Sequence, residues 1–122
     1  MICDHCRNLE ELKLIYRKRP MPNQYDWDFL INNPNLFCFY DEESGELKGY
    51  ITVQLENGVL TLSGASVRKN MADNINAIVK VCEGFKQDMY AFTQVKPAKI
   101  CLLRAGFKHI KDDKYVRRYK NG

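Results

Sequence analysis

The densest cluster of reactive side chains opens the chain: Met1-Ile2-Cys3-Asp4-His5-Cys6. Cys-x-x-Cys supplies two thiolates at the spacing of half a tetrahedral zinc site, and His5 is a candidate third ligand. The other half is missing, because no second Cys/His pair follows at finger-like spacing and His109 lies far along the chain. The expectation is therefore no metal. Cys38, Cys82 and Cys101 sit inside apolar runs and read as small core hydrophobes. Five cysteines, an odd number at irregular spacing, argue against a secreted disulfide framework and for a reducing compartment. With no basic segment followed by an apolar one at the N-terminus, a cytoplasmic location is expected.

A second concentration of chemistry is positive charge. Lys96, Lys99, Arg104, Lys108, Lys111, Lys114, Arg117, Arg118 and Lys120 crowd the last quarter, which reads either as a solvated polar face or as an end that attracts phosphates or acidic partners. Nineteen Lys and Arg against fifteen Asp and Glu leave only +4, too little for a dedicated nucleic-acid binder. Phe107, Tyr115 and Tyr119 are interleaved with these cations, but in strands such rings alternate toward a core, so no nucleic-acid partner is expected.

The elements that must position these groups follow from length and periodicity. At 122 residues, 45% hydrophobic and 28% charged, the chain has the size and composition of one globular domain, residues 1–122. No window holds the run of apolar residues that a membrane helix needs, so no membrane association is expected. Leu9, Leu12, Ile15 and Tyr16 recur at helical spacing until Arg19-Pro20-Met21-Pro22 ends the helix. A second short helix runs from about Tyr25 to Asn32, and Asn33-Pro34 stops it.

The period then changes to that of strands. Leu36 to Tyr40 is short, apolar and aromatic, and a polar turn joins it to Leu47 to Leu55, where alternate residues are apolar. Asn57-Gly58 is the strongest turn signal, since both residues accept positive φ, so Val59 to Val67 is a third antiparallel strand. From Met71 the helical period returns and Gly84 marks its end; Asp88 to Thr93 is a strand, and Pro97 opens a helix that Gly106 terminates. Phe107 to Ile110 and Lys114 to Tyr119 flank Lys111-Asp112-Asp113 as a closing hairpin. The expected order is ααβββαβαββ, an α+β class with one mixed, mostly antiparallel sheet flanked by helices.

That order resembles the GCN5-related N-acetyltransferase (GNAT) fold. The most specific local match is Pro97-Ala98-Lys99-Ile100-Cys101-Leu102-Leu103-Arg104-Ala105-Gly106-Phe107, which is similar to the family's penultimate helix, A-x-x-L-Y-x-x-x-G-F, running into the next strand. The resemblance covers about Leu36 to Tyr119, with the two N-terminal helices in the place of the family's first two. The usual opening strand is absent or reduced to Met1-Ile2-Cys3, which would cost the sheet one edge.

The resemblance implies acetyl-CoA as co-substrate and an amine on a small molecule or protein as acceptor. In the family, backbone amides of a Gly-rich turn, Q/R-x-x-G-x-G/A, hold the pyrophosphate at a helix N-terminus, where dipole and unpaired N–H groups favour an anion. The matching stretch here is Ser66, Val67, Arg68, Lys69, Asn70, Met71 and Ala72, with Arg68 at the motif's first residue and Ala72 near its last small one. Neither glycine is present, and Asp73 brings a negative charge into the first turn. Leu102 stands where the family often has a tyrosine that protonates the leaving thiolate, and leucine donates no proton. Glu56, a candidate base, precedes the Asn-Gly turn and is expected at the far end of the hairpin. Ser63, Ser66, Thr93 and Gln94 are the polar residues nearest the point where the family's central strands part.

No catalytic residue is thereby assigned. The chain is also similar to shortened, glycine-poor GNAT-like proteins of tailed phages, through Leu62-Ser63-Gly64-Ala65 running into Arg68-Lys69. That likeness implies a host cytoplasm or a virion, and a second function: a catalytically inactive GNAT-fold protein that binds an assembly partner.

Overall fold

The structure, a computed structural model, describes residues 2–4, 9–18, 27–66 and 71–119. It contains β1 (Ile2–Asp4), α1 (Leu9–Lys18), α2 (Trp27–Ile31), β2 (Leu36–Tyr40), β3 (Leu47–Glu56), β4 (Val59–Ser66), α3 (Met71–Phe85), β5 (Met89–Phe92), α4 (Lys96–Arg104), β6 (Lys108–Lys111) and β7 (Lys114–Arg117). The seven strands form one sheet in the order β1-β2-β3-β4-β5-β7-β6. All neighbours are antiparallel except β4 and β5, which are parallel because α3 carries the chain back across the sheet between them.

The expected α+β class and mixed sheet are present, with two corrections. Of the two alternatives for the opening strand the reduced one is present, and it does supply the edge: Ile2, Cys3 and Asp4 pair with Tyr40, Phe39 and Cys38, so β2 is covered and the order begins with β. Gly84 does not end α3. The helix continues through Phe85, and Lys86 takes the left-handed conformation at φ 53°. The Asn57-Gly58 turn has positive φ at both residues, as two-residue hairpins require, and Gly106 ends α4 at φ 97°. Among the described residues no helix is long and apolar enough to cross a membrane.

Strand alternation splits the sheet into two faces. Phe39, Ile51, Val53, Leu62, Met89, Ala91 and Tyr115 point to the side of α3 and α4, where they meet Ala77, Val81, Cys82, Leu102, Ala105 and Phe107. Leu36, Cys38, Tyr40, Leu47 and Tyr50 point the other way and pack with Leu12 and Ile15 of α1 and Leu30 of α2. Cys38 and Cys82 are buried in these cores and Cys101 is buried on α4, as their apolar neighbours in sequence require. Burial pushes the Cys82 thiol up to about 11, because a thiolate would lose its hydration there. Arg117 closes the C-terminal end of α4 by donating from Nε to the Ala105 carbonyl at 3.0 Å.

Candidate functional site

The arrangement with chemical potential is the gap between the two parallel strands. β4 and β5 pair only through Thr61 with Tyr90 and Leu62 with Ala91. Beyond Leu62, residues 63–66 of β4 remain paired with β3, and beyond Ala91, Phe92 remains paired with Lys114 of β7. Each strand keeps its outer neighbour and loses its inner one. The sheet therefore opens into a V at the carboxyl ends of two parallel strands, with inward backbone donors and acceptors that no ladder consumes.

Gly64 lets β4 lie close against β3 just past its last pair with β5. A Cβ built on Gly64 would overlap the Tyr50 carbonyl oxygen and lie 3.1 Å from the Ile51 Cα, so the backbone of β4 presses on β3 more closely than any side chain permits. Next to it, Thr52 and Ser63 share a hydrogen bond of 2.8 Å between hydroxyls, across the paired strands. Ser63 thus serves the sheet. On the other limb, the Thr93 backbone N–H donates to the Asp113 carbonyl at 3.0 Å and its hydroxyl accepts from the Val95 N–H at 3.1 Å. Gln94 donates from Nε2 to Asp113 Oδ2 at 2.8 Å. These bonds tie the end of β5 to the β6–β7 turn, so the two limbs of the V are held by different parts of the fold.

Of the stretch expected to cradle a pyrophosphate, Ser66 is the last residue of β4, and Met71 and Ala72 open α3. Val67, Arg68, Lys69 and Asn70 lie outside the described residues, as do His5 and Cys6 of the N-terminal cluster. Among the described residues no group of three metal-ligating side chains exists. Arg104 of α4 is brought to this end of α3, where its Nη1 lies 3.3 Å from the Met71 sulfur. Spacing alone did not mark it, since its register places it only among nine cations of the last quarter. It supplies positive charge beside the turn that carries Asp73.

Two expected assignments are settled by position. Leu102 is 5% exposed and belongs to the α3/α4 core, so the place of the family's tyrosine is filled by packing. Glu56 pairs with Val59 at the hairpin tip, four to seven residues along β4 from Ser63–Ser66, or roughly 14–24 Å. It is remote from the V and cannot act there as a base. Phe107 and Tyr115 are core residues as expected, while Tyr119 is exposed. A shallow cleft of about 520 Å³ lined by Asp28, Phe29, Asn32, Asn33, Pro34 and Gln54 involves neither β4 nor β5.

No protein-family model matches the chain, and no curated protein matches it by sequence. Solved structures match closely in shape. An aminoglycoside 6'-N-acetyltransferase complexed with coenzyme A superposes with a TM-score of 0.69 at 15% identity, over 100% of this chain and 99% of that one. A GNAT-family acetyltransferase from Staphylococcus aureus Mu50 gives 0.66 at 18%, covering 96% and 97%. Tetrahymena GCN5 gives 0.63 at 16%, covering 92% and 86%. Sheet order, the parallel β4–β5 pair that opens into a V, and these superpositions lead to one conclusion: the chain has the fold of the GCN5-related N-acetyltransferases.

Proposed function

We propose that the protein transfers an acetyl group from acetyl-CoA to an amine. The observation that carries this reading is the V between β4 and β5. Its free backbone groups suit the amide-rich arm of the coenzyme, which can extend the ladder where the strands have parted. The amides that open α3 at Met71 and Ala72, with Arg104 beside them, supply the field that a diphosphate needs, and Arg104 offsets Asp73. In this proposal Ser66, Val67, Arg68, Lys69 and Asn70 bind the diphosphate together with Met71 and Ala72.

Acetyl-CoA supplies the activated acyl group as a thioester. The chain's part is to hold the acceptor nitrogen within reach of the thioester carbon. The N–C bond forms as the C–S bond breaks, the sulfur keeps the bonding electron pair, and the ammonium proton passes to solvent. Such a direct attack depends on positioning, which alone is worth several kcal/mol of barrier. With leucine at residue 102, no side chain there protonates the thiolate, so turnover is expected to be slow and to rise with pH as the acceptor amine loses its proton.

Leu102 also supports a second reading, in which the V binds without chemistry and the protein is a GNAT-fold assembly component, as the likeness to tailed-phage proteins implies. Thermal unfolding with millimolar acetyl-CoA and CoA tests the first reading, because a ligand that binds only the native state raises the midpoint. An upward shift with both supports the coenzyme site, and acetylated amine detected by mass spectrometry then separates catalysis from binding. No shift at saturation overturns the enzyme reading.

A further inference from the structure

Among the described residues, helices cover only half of the side of the sheet away from α3 and α4. α1 and α2 pack on β2, β3 and β4 there, and the remaining strands, β5, β7 and β6, carry a basic and aromatic surface on that side. Strand pairing fixes its layout. Phe92 stands opposite Lys114 and Lys114 opposite Lys111, which makes one row across three strands; Tyr90, Val116 and Lys108 make the next. Directly paired residues project to the same side. Since Met89, Ala91 and Tyr115 point into the α3/α4 core, both rows point away from it.

Lys111 joins this face because of a bulge. Pairing shifts between His109 and Lys111, and the extra residue, Ile110, reverses the alternation so that Lys111 emerges on the side of Lys108. A regular strand would send Lys111 to the opposite side. Arg118 of the same surface is neutralised by Asp88 at 2.8 Å, and the Asp113 carboxylate is held by Gln94. Asp112 in the same turn is the other nearby acid. Among the described residues no carboxylate forms an ion pair with Lys108, Lys111 or Lys114.

Edge lysines alone have a simpler use, since they keep an open strand from pairing with another chain. That use explains β6. It does not explain Lys114 and Phe92, which lie on β7 and β5 inside the sheet. Phe92 is 44% exposed and is the first residue of β5 past the last pair with β4, so the row Phe92-Lys114-Lys111 runs straight to the mouth of the V. Lysines that no carboxylate among the described residues pairs with, set around an exposed ring, complement carboxylates flanking an apolar side chain. Stacked nucleobases would need successive open rings, and of the two rings in these rows only Phe92 is open, since the Tyr90 ring is capped by the Lys114 ammonium at 5.1 Å.

We propose that the Phe92-Lys114-Lys111 row, with Lys108 behind it, docks an acidic polypeptide whose amine is presented at the V between β4 and β5. The docking stands on the charge and layout of the face; that the bound amine is the acetyl acceptor rests on the function proposed above. Polycationic aminoglycosides are then poor ligands for this chain.

The test uses the full chain and a short Glu-rich peptide containing one Phe, labelled at its C-terminus, with fluorescence anisotropy as readout. Its Gln-for-Glu counterpart, a thymidine oligonucleotide and an aminoglycoside competitor are the comparisons. The expected result is a glutamate peptide bound at least about tenfold more tightly than the glutamine one, with affinity that falls as salt rises and by about tenfold or more in Lys111→Glu/Lys114→Glu. Lys111→Glu alone, at an exposed position, gives a smaller loss in the same direction should the double variant not fold, and Lys80→Glu on α3 leaves affinity unchanged. Equal binding of the two peptides, unchanged affinity in the folded charge-reversal variants, or tighter binding of the oligonucleotide overturns the docking. Because this assay contains no acetyl-CoA, its failure is distinct from failure of the coenzyme test. With acetyl-CoA added to a protein that binds both, acetylation of the peptide N-terminus is expected, and its absence overturns the acceptor assignment.

Discussion

On the α3/α4 side of the sheet, one continuous core runs from Phe39 on β2 to Tyr115 on β7. On the α1/α2 side a smaller cluster joins Leu12, Ile15 and Leu30 to β2 and β3, and the surface beyond it is carried by Tyr90, Phe92 and lysines. The difference shows how one sheet divides its work. On the α3/α4 face, apolar packing through Leu62, Met89 and Ala91 holds β4 and β5 together up to the pair at which their hydrogen bonding ends. Beside the same break, the other face carries charged and aromatic residues in place of that packing.

The strongest way to break that comparison is Met89→Ala, which empties a fully buried site in the continuous core. A loss of about 2–5 kcal/mol is expected in chemical denaturation; a loss below 1 kcal/mol, read against the same principle, would mean the core does not bridge the limbs. Cys82 sharpens the picture by pH. Its thiol has a normal value of 9.0 and is raised to about 11 in the fold, so the unfolded chain gives up its proton first. The stability tied to the protonated thiol is intact below pH 9 and is lost as pH rises toward 11, by roughly 2–3 kcal/mol at most. Cys82→Ala should flatten that alkaline slope in denaturation curves measured across the range.

Gly64→Ala addresses the origin of the V. The added methyl meets the β3 backbone at Tyr50 and Ile51, so a loss of about 1–3 kcal/mol is expected, together with a reduced acetyl-CoA shift in thermal unfolding. Wild-type stability in that variant would show that close approach at Gly64 does not set the course of β4. The smallest effect concerns the open face. Asp88 is held below the usual carboxylate range by the Arg118 guanidinium and the Tyr119 amide. Its depressed value makes its contribution present above about pH 4 and lost as pH falls through the folded value. An NMR titration should place its midpoint below that of a free aspartate, and Arg118→Ala should return it toward normal.

Much of the fold was legible in the sequence because periodicity reports local geometry. The alternation of Leu47 to Leu55, Asn57-Gly58 and the Pro97-to-Gly106 helix each carry their signal within a few residues. Lys86 as the end of α3 was not legible, since a lysine at positive φ is set by where the chain must go next. Nor was β1: three residues have too little pattern, and only β2 makes them a strand. For the site, the lack of a proton donor at Leu102 and the remoteness of Glu56 followed from their places in the sequence. Arg104 at the start of α3 and Lys111 on the face of Lys114 did not, because one depends on packing between helices and the other on a bulge.

Residue types and spacing therefore determined the elements from α1 onward, their order and the absence of a tyrosine at residue 102. The point at which β4 leaves β5 and the face on which the lysines gather were decided by tertiary structure. Both depend on which strand lies beside which, and pairing between strands distant in sequence leaves no periodicity in either one.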